Sequence, residues 1–166
     1  MGPEAQSTPS SSESKSSFSM SKFTEILTVA PLPNGRSWVL RNPFGYDVGY
    51  EDSGETIAVP AGFTTDFASI PRFLWSILPC WGKYGNAAVI HDYCYWEQKY
   101  TRKRADGIFR EAMGVLRVGW LQTMILYWAV RLFGWIPWRM NWKAKANGVQ
   151  RFLDPIPKKV FDWKSG

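Results

Sequence analysis

AAVIHDYCYWEQKYTRKRADGIFREAM, residues 87–113, is the stretch on which the fold turns. Small and apolar residues from Ala87 to Ile90 run into His91-Asp92-Tyr93-Cys94-Tyr95, and the spacing predicts a helix over 84–98. After the polar turn at Tyr100-Thr101, Asp106, Phe109 and Met113 recur at helical spacing, which predicts a second helix over 102–118. A turn this short makes the two helices antiparallel neighbours. Adjacent helical residues point about 100° apart, so His91 and Asp92 flank one pocket, and Tyr95 lies one turn on from His91. In the hairpin register Asp106 falls opposite Tyr95, about one turn from His91. A carboxylate on an otherwise apolar face is costly to bury unless paired. Asp106 is therefore expected to accept from Tyr95 and from one ring nitrogen of His91, fixing the tautomer.

Upstream the pattern changes. Phe23 to Val29 and Ser37 to Arg41 are short apolar-rich runs, the second closed by the turn signal Asn42-Pro43-Phe44-Gly45. Tyr46 to Tyr50 and Thr56 to Val59, joined by a polar loop ending in Gly54, read as a β-hairpin. The first half is thus expected to be a small antiparallel sheet. Ser69-Ile70-Pro71 looks like the start of a short helix, with Ser69 as N-cap. Downstream, a helix over 120–133 is expected to stop at Gly134 and Pro137, leaving 135–166 irregular. Strands followed by helices make the fold class α+β. Residues 1–21, crowded with serine, are expected to be a disordered tail, with no signal peptide, ahead of one domain over 22–166. Within it the β part covers about 22–63 and the helical part about 69–134.

The chain has 166 residues, a formal net charge of +6 and ten tryptophans. That balance favours anionic partners such as a phospholipid surface or an acidic protein face. Nucleic acid is not favoured, because the aromatics and basic residues do not alternate in a recognisable module. The run 120–138 is interrupted by Gln122 and Arg131, short of the roughly 20 apolar residues a membrane span needs. It reads as a core helix or, with its tryptophans beside Arg131, Arg139, Lys143 and Lys145, as an interfacial one. Cys80 and Cys94 are too few for a disulfide scaffold; a single bridge between them stays open, with two buried thiols as the default reading. The basic run from Lys99 to Arg104 reads as a solvated helix junction.

The single histidine, His91, excludes zincin-type sites, which need two histidines on one helix turn. No Cys/His cluster has zinc spacing, and there is no glycine-rich phosphate loop or nucleophile elbow. A one-histidine mechanism remains, with carboxylates that orient the ring or hold a hard cation. The plainer reading of the same residues is a buried polar network that fixes helix packing.

Three blocks, Thr65-Asp66-Phe67-Ala68-Ser69-Ile70-Pro71, His91-Asp92-Tyr93-Cys94-Tyr95 and Arg104-Ala105-Asp106, occur in the order seen in the family catalogued as domain of unknown function 1353. The chain resembles that family over about 44–134. The resemblance implies a phage or prophage origin, and so a virion or host-cytoplasm location, but no activity. Locally, His91-Asp92-Tyr93-Cys94-Tyr95 is similar to the His-Asp-x-Cys-Tyr signature of secreted phospholipases A2. That resemblance implies a hydrolase acting on a lipid ester, with His91 as general base and Asp106 and Tyr95 holding its ring. It further implies that Asp92 is a calcium ligand, with Asp66 as a possible second oxygen donor. The departures are an absent glycine-rich calcium loop and Ala105 in place of a cysteine. The alternative is a non-enzymatic virion or accessory module that presents a Trp-rich surface to a phage or host protein.

Overall fold

The computed structural model describes residues 21–49, 54–66 and 83–156. Two small antiparallel sheets precede four helices, so the α+β expectation holds, with two sheets where one was expected. One sheet has the order β1(Lys22–Phe23)-β4(Phe44–Asp47)-β5(Thr56–Val59); the other is β2(Val29–Pro31)-β3(Trp38–Leu40)-β6(Thr64–Thr65).

The run expected as one strand over 23–29 is split between the sheets. Its first residues pair with β4, its last with β3, and Ile26 between them is left exposed. The hairpin is β4–β5, registered Phe44↔Val59 and Tyr46↔Ile57. β5 alternates as a half-buried strand should, with Ile57 and Val59 inward. Phe44 and Gly45, expected in a turn, open β4 instead. Phe44 is buried and stacks on Phe23 at 5.6 Å between centroids. A Cβ at Gly45 would stand 2.8 Å from Thr24 Oγ1, so glycine is there for close approach to β1 rather than for a turn.

Helix α1(Gly85–Glu97) buries ten of its thirteen residues and so runs through the middle of the molecule rather than over its surface. Its extent is that expected from 84–98, with Tyr84 and Gln98 as the flanking caps. Gln98 is left-handed, φ 56°, and turns the chain into α2(Arg102–Val115), whose N-cap Thr101 accepts from the Arg104 amide. α2 ends three residues before the expected Val118. Arg117 takes the left-handed position usually given to glycine, φ 52°, and the Val118 and Arg117 amides return to the carbonyls of Met113 and Gly114. This six-to-one, five-to-two pair ends the helix.

α3(Trp120–Phe133) has the expected bounds. The expected irregular segment is corrected at its start: α4(Trp135–Ala146) follows directly. Pro137 is its third residue, in the first turn, where no backbone donor is needed, so the proline is compatible with a helix start instead of stopping one. After α4 the chain returns to the second sheet, where Phe152 bridges Phe63 and the Thr64 amide donates to the Arg151 carbonyl at 2.7 Å. Gly62 is required there: its φ is +86° and a Cβ would meet the Leu153 carbonyl oxygen at 2.5 Å. Tail residues 1–20, the helix start at Ser69-Ile70-Pro71, the hairpin tip and Cys80 lie outside the described residues. Cys94 is free and buried, and burial, followed by the Glu55 carboxylate, pushes its thiol up to about 12.

Candidate functional site

Helix α1 places His91 and Tyr95 on one face at i, i+4, and α2 brings Asp106 against both. Asp106 Oδ1 lies 2.9 Å from His91 Nε2 and accepts from the Tyr95 hydroxyl at 2.6 Å. The pairs Tyr95–Asp106 and, farther from the turn, His91–Phe109 (4.7 Å between rings) fix the hairpin as antiparallel. His91 is 1% exposed, and Asp106 and Tyr95 are fully buried. An ionised carboxylate can only accept, so His91 Nε2 carries the hydrogen and Nδ1 is left as the basic nitrogen. The ring is flanked by Tyr95 on one side, 4.1 Å between centroids, and Phe109 on the other.

The second oxygen of Asp106 is held from a third helix. Arg131 Nη1 donates to Oδ2 at 2.6 Å, and Arg102 Nη1 approaches it at 3.5 Å. Arg102 donates mainly to the carbonyls of Arg131 at 2.9 Å and Val130 at 3.3 Å, near the C-terminal end of α3. The Val130 carbonyl also accepts from the Gly134 amide at 2.8 Å, and both carbonyls lie at the negative end of the helix dipole. One carboxylate thus ties α1, α2 and α3 together. Sequence reasoning found His91, Tyr95 and Asp106 but not the two arginines. In sequence Arg102 sits in the basic run that reads as a solvated junction, and Arg131 interrupts an apolar run. A lone cation amid apolar residues, with no acid nearby in sequence, was the available signal that a buried partner exists.

The electrostatics follow from these contacts. Burial alone would raise the Asp106 pKa, but the hydrogen bonds from His91, Tyr95 and Arg131 outweigh it and hold the carboxyl below the usual range. Burial and then the Asp106 carboxylate push the Tyr95 phenol well above its ordinary value, so it remains a donor. The sign of the linkage is set by the depressed Asp106 value. The stability this group contributes is present above its unfolded pKa of about 4 and is lost as pH falls through the lower folded value. Denaturant midpoints measured from neutral pH down to about pH 2 should show that acid-side loss in wild type, and the component should be missing from Asp106→Asn.

Asp92 faces another way. It is 2% exposed and accepts from Thr65 Oγ1 at 2.5 Å, fastening α1 to β6. Asp66 lies 3.9 Å from the Arg151 guanidinium. Among the described residues no group of three or more His, Cys, Asp or Glu side chains is placed to hold a metal ion. Segment 67–82, which follows Asp66 in the chain, lies outside the described residues.

Gly134, between α3 and α4, closes the site from above. A Cβ there would collide with the Tyr95 hydroxyl and with the Val130 carbonyl. Trp138 of α4 packs edge-on against the Tyr95 ring at 5.1 Å.

A model of the family described as "Protein of unknown function (DUF1353)" matches residues 38–130. The chain belongs to that family. The match takes in His91, Asp92, Tyr95 and Asp106 and ends one residue before Arg131. The DUF1353 chain is also 31% identical over 119 residues to the uncharacterized protein y4jT of Sinorhizobium fredii (strain NBRC 101917 / NGR234). The matched stretch is 70% of this chain and 34% of that relative, so the chain spans about a third of the relative's length. No solved structure matches.

Proposed function

We propose that the chain is a hydrolase in which His91 is the general base and Asp106 and Tyr95 are positioning residues. The observation that carries this is the 2.9 Å contact of His91 Nε2 with Asp106, which leaves Nδ1 as the basic atom. Nδ1 takes a proton from water while the water oxygen adds to an ester carbonyl. Asp106 stabilises the imidazolium that results, and the ring returns the proton to the leaving alkoxide. Tyr95 and Arg131 hold the carboxylate so that its charge stays aimed at the ring. Because His91 is 1% exposed, water must reach the ring through an opening of the surrounding structure, and that step belongs to the reaction.

The likeness to the phospholipase A2 signature makes a lipid ester the substrate to try first, with calcium as an additive to be tested rather than a part of the derivation. The full chain is assayed on phospholipid vesicles and on a soluble aryl ester, each with calcium and with a chelator. Hydrolysis that disappears in His91→Gln supports the proposal. A parent without activity on any of these substrates removes it.

A second reading, a phage-type virion or accessory module that works by binding, is favoured by one observation. Ten of the thirteen large hydrophobic residues exposed among the described residues lie on α3 and α4. Under that reading the Asp106 network is purely a helix clamp.

A further inference from the structure

Helix α3 carries two apolar stripes. Leu126 and Val130 are buried, whereas Leu121, Ile125, Trp128 and Leu132, at spacings of four, three and four, are exposed along another face. α4 buries only Asn141 and adds exposed Ile136 and Met140, also four apart. An apolar stripe at helical period on a solvent face signals a partner.

Charge narrows the choice. Residues 112–153 contain no aspartate or glutamate and six basic residues, which equals the formal net charge of +6; Arg131, Lys145 and Arg151 pair with Asp106, Glu97 and Asp66, and Arg139 and Lys143 stand outside those pairs. The rest of the chain, with fourteen basic and fourteen acidic residues, is balanced. Half of the ten tryptophans fall in the same stretch. Arg139 and Lys143 of α4 are exposed, three residues on from Ile136 and Met140 respectively, with the Arg139 guanidinium over the Trp135 ring at 5.8 Å. A second copy docked face to face would set cation against cation with no acid to relieve them. A nucleic acid would satisfy the cations and leave Leu121, Ile125 and Leu132 in water. Hydrocarbon beneath anionic headgroups satisfies both. No helix among the described residues is long and apolar enough to cross a membrane, which leaves the interface itself.

We infer that the outer face of α3–α4 docks on an anionic phospholipid surface, the stripe Leu121–Ile125–Trp128–Leu132 entering the headgroup boundary and Arg139 and Lys143 engaging lipid phosphates. The inference is independent of the role of His91.

The test is co-sedimentation of the full chain with vesicles of phosphatidylcholine alone or mixed with phosphatidylglycerol. Binding at least tenfold tighter to the mixed vesicles is expected. The double substitution Arg139→Gln, Lys143→Gln should weaken it by roughly 25-fold, about fivefold per cation near an anionic surface. Trp128→Glu with Leu132→Glu, at positions 56% and 60% exposed, should abolish binding while the melting temperature is kept. Binding equal on both vesicle types, or unaffected by the Trp128/Leu132 substitutions, overturns the inference. So does finding no vesicle binding but a concentration-dependent dimer that the Trp128/Leu132 substitutions dissolve, which would assign the face to a second copy.

Discussion

Asp106→Ala should cost the folded chain about 3–5 kcal/mol, the usual penalty for removing one partner of a buried charge pair. The side chain it deletes is fully buried and is bonded to His91, Tyr95 and Arg131. Without it the Tyr95 hydroxyl has no acceptor at that position, and the half-buried Arg131 guanidinium loses its carboxylate. A chain of this size loses roughly 2–4 °C per kcal/mol, so the melting midpoint should fall by about 10 °C. Asp106→Asn keeps the shape and one acceptor but loses the charge, and should lie between the two. Chemical denaturation of the three proteins decides it. A penalty under about 1 kcal/mol for the alanine variant would mean that the carboxylate is not the clamp its contacts describe.

His91→Gln should do the opposite, sparing the fold and removing the chemistry. A glutamine amide can still donate to Asp106, so the buried carboxylate keeps a partner, but it cannot accept a proton near neutral pH. General-base contributions run from about 10² to 10⁴, so hydrolysis by the variant should drop by at least two orders of magnitude. Tm and kcat are therefore read on the same preparations. A variant that melts well below wild type, from a parent with no esterase activity, would assign His91 to architecture. Loss of activity at an unchanged midpoint would assign it to catalysis.

Local signals carried most of the fold. α1 and α3 were legible because their periodicity and end residues agree, and the caps fall at Tyr84, Gln98 and Gly134. α2 was overrun because an arginine, not a glycine, occupies its terminating left-handed position at 117. α4 is hidden in the sequence because Pro137 resembles a stop, although a proline in the first turn is indifferent to the missing donor. The second sheet depends on pairing across distant segments, Trp38 with Thr65 above all, which no short-range pattern announces. The same division holds at the site. His91, Tyr95 and Asp106 are joined by one helix repeat and one short turn and could be placed in advance. Arg131 arrives from a third helix, and Thr65 reaches Asp92 from a strand, so both were invisible until the chain was folded.

The empty space at Gly134 makes the α3–α4 corner a bearing. With no side chain there, the corner rests on the Tyr95 hydroxyl on one side and on the Val130 carbonyl on the other. The same phenolic oxygen donates to Asp106, which in turn holds the His91 ring. A side chain at position 134 would therefore have to displace the phenol, and with it the hydrogen bond to Asp106 that holds the histidine.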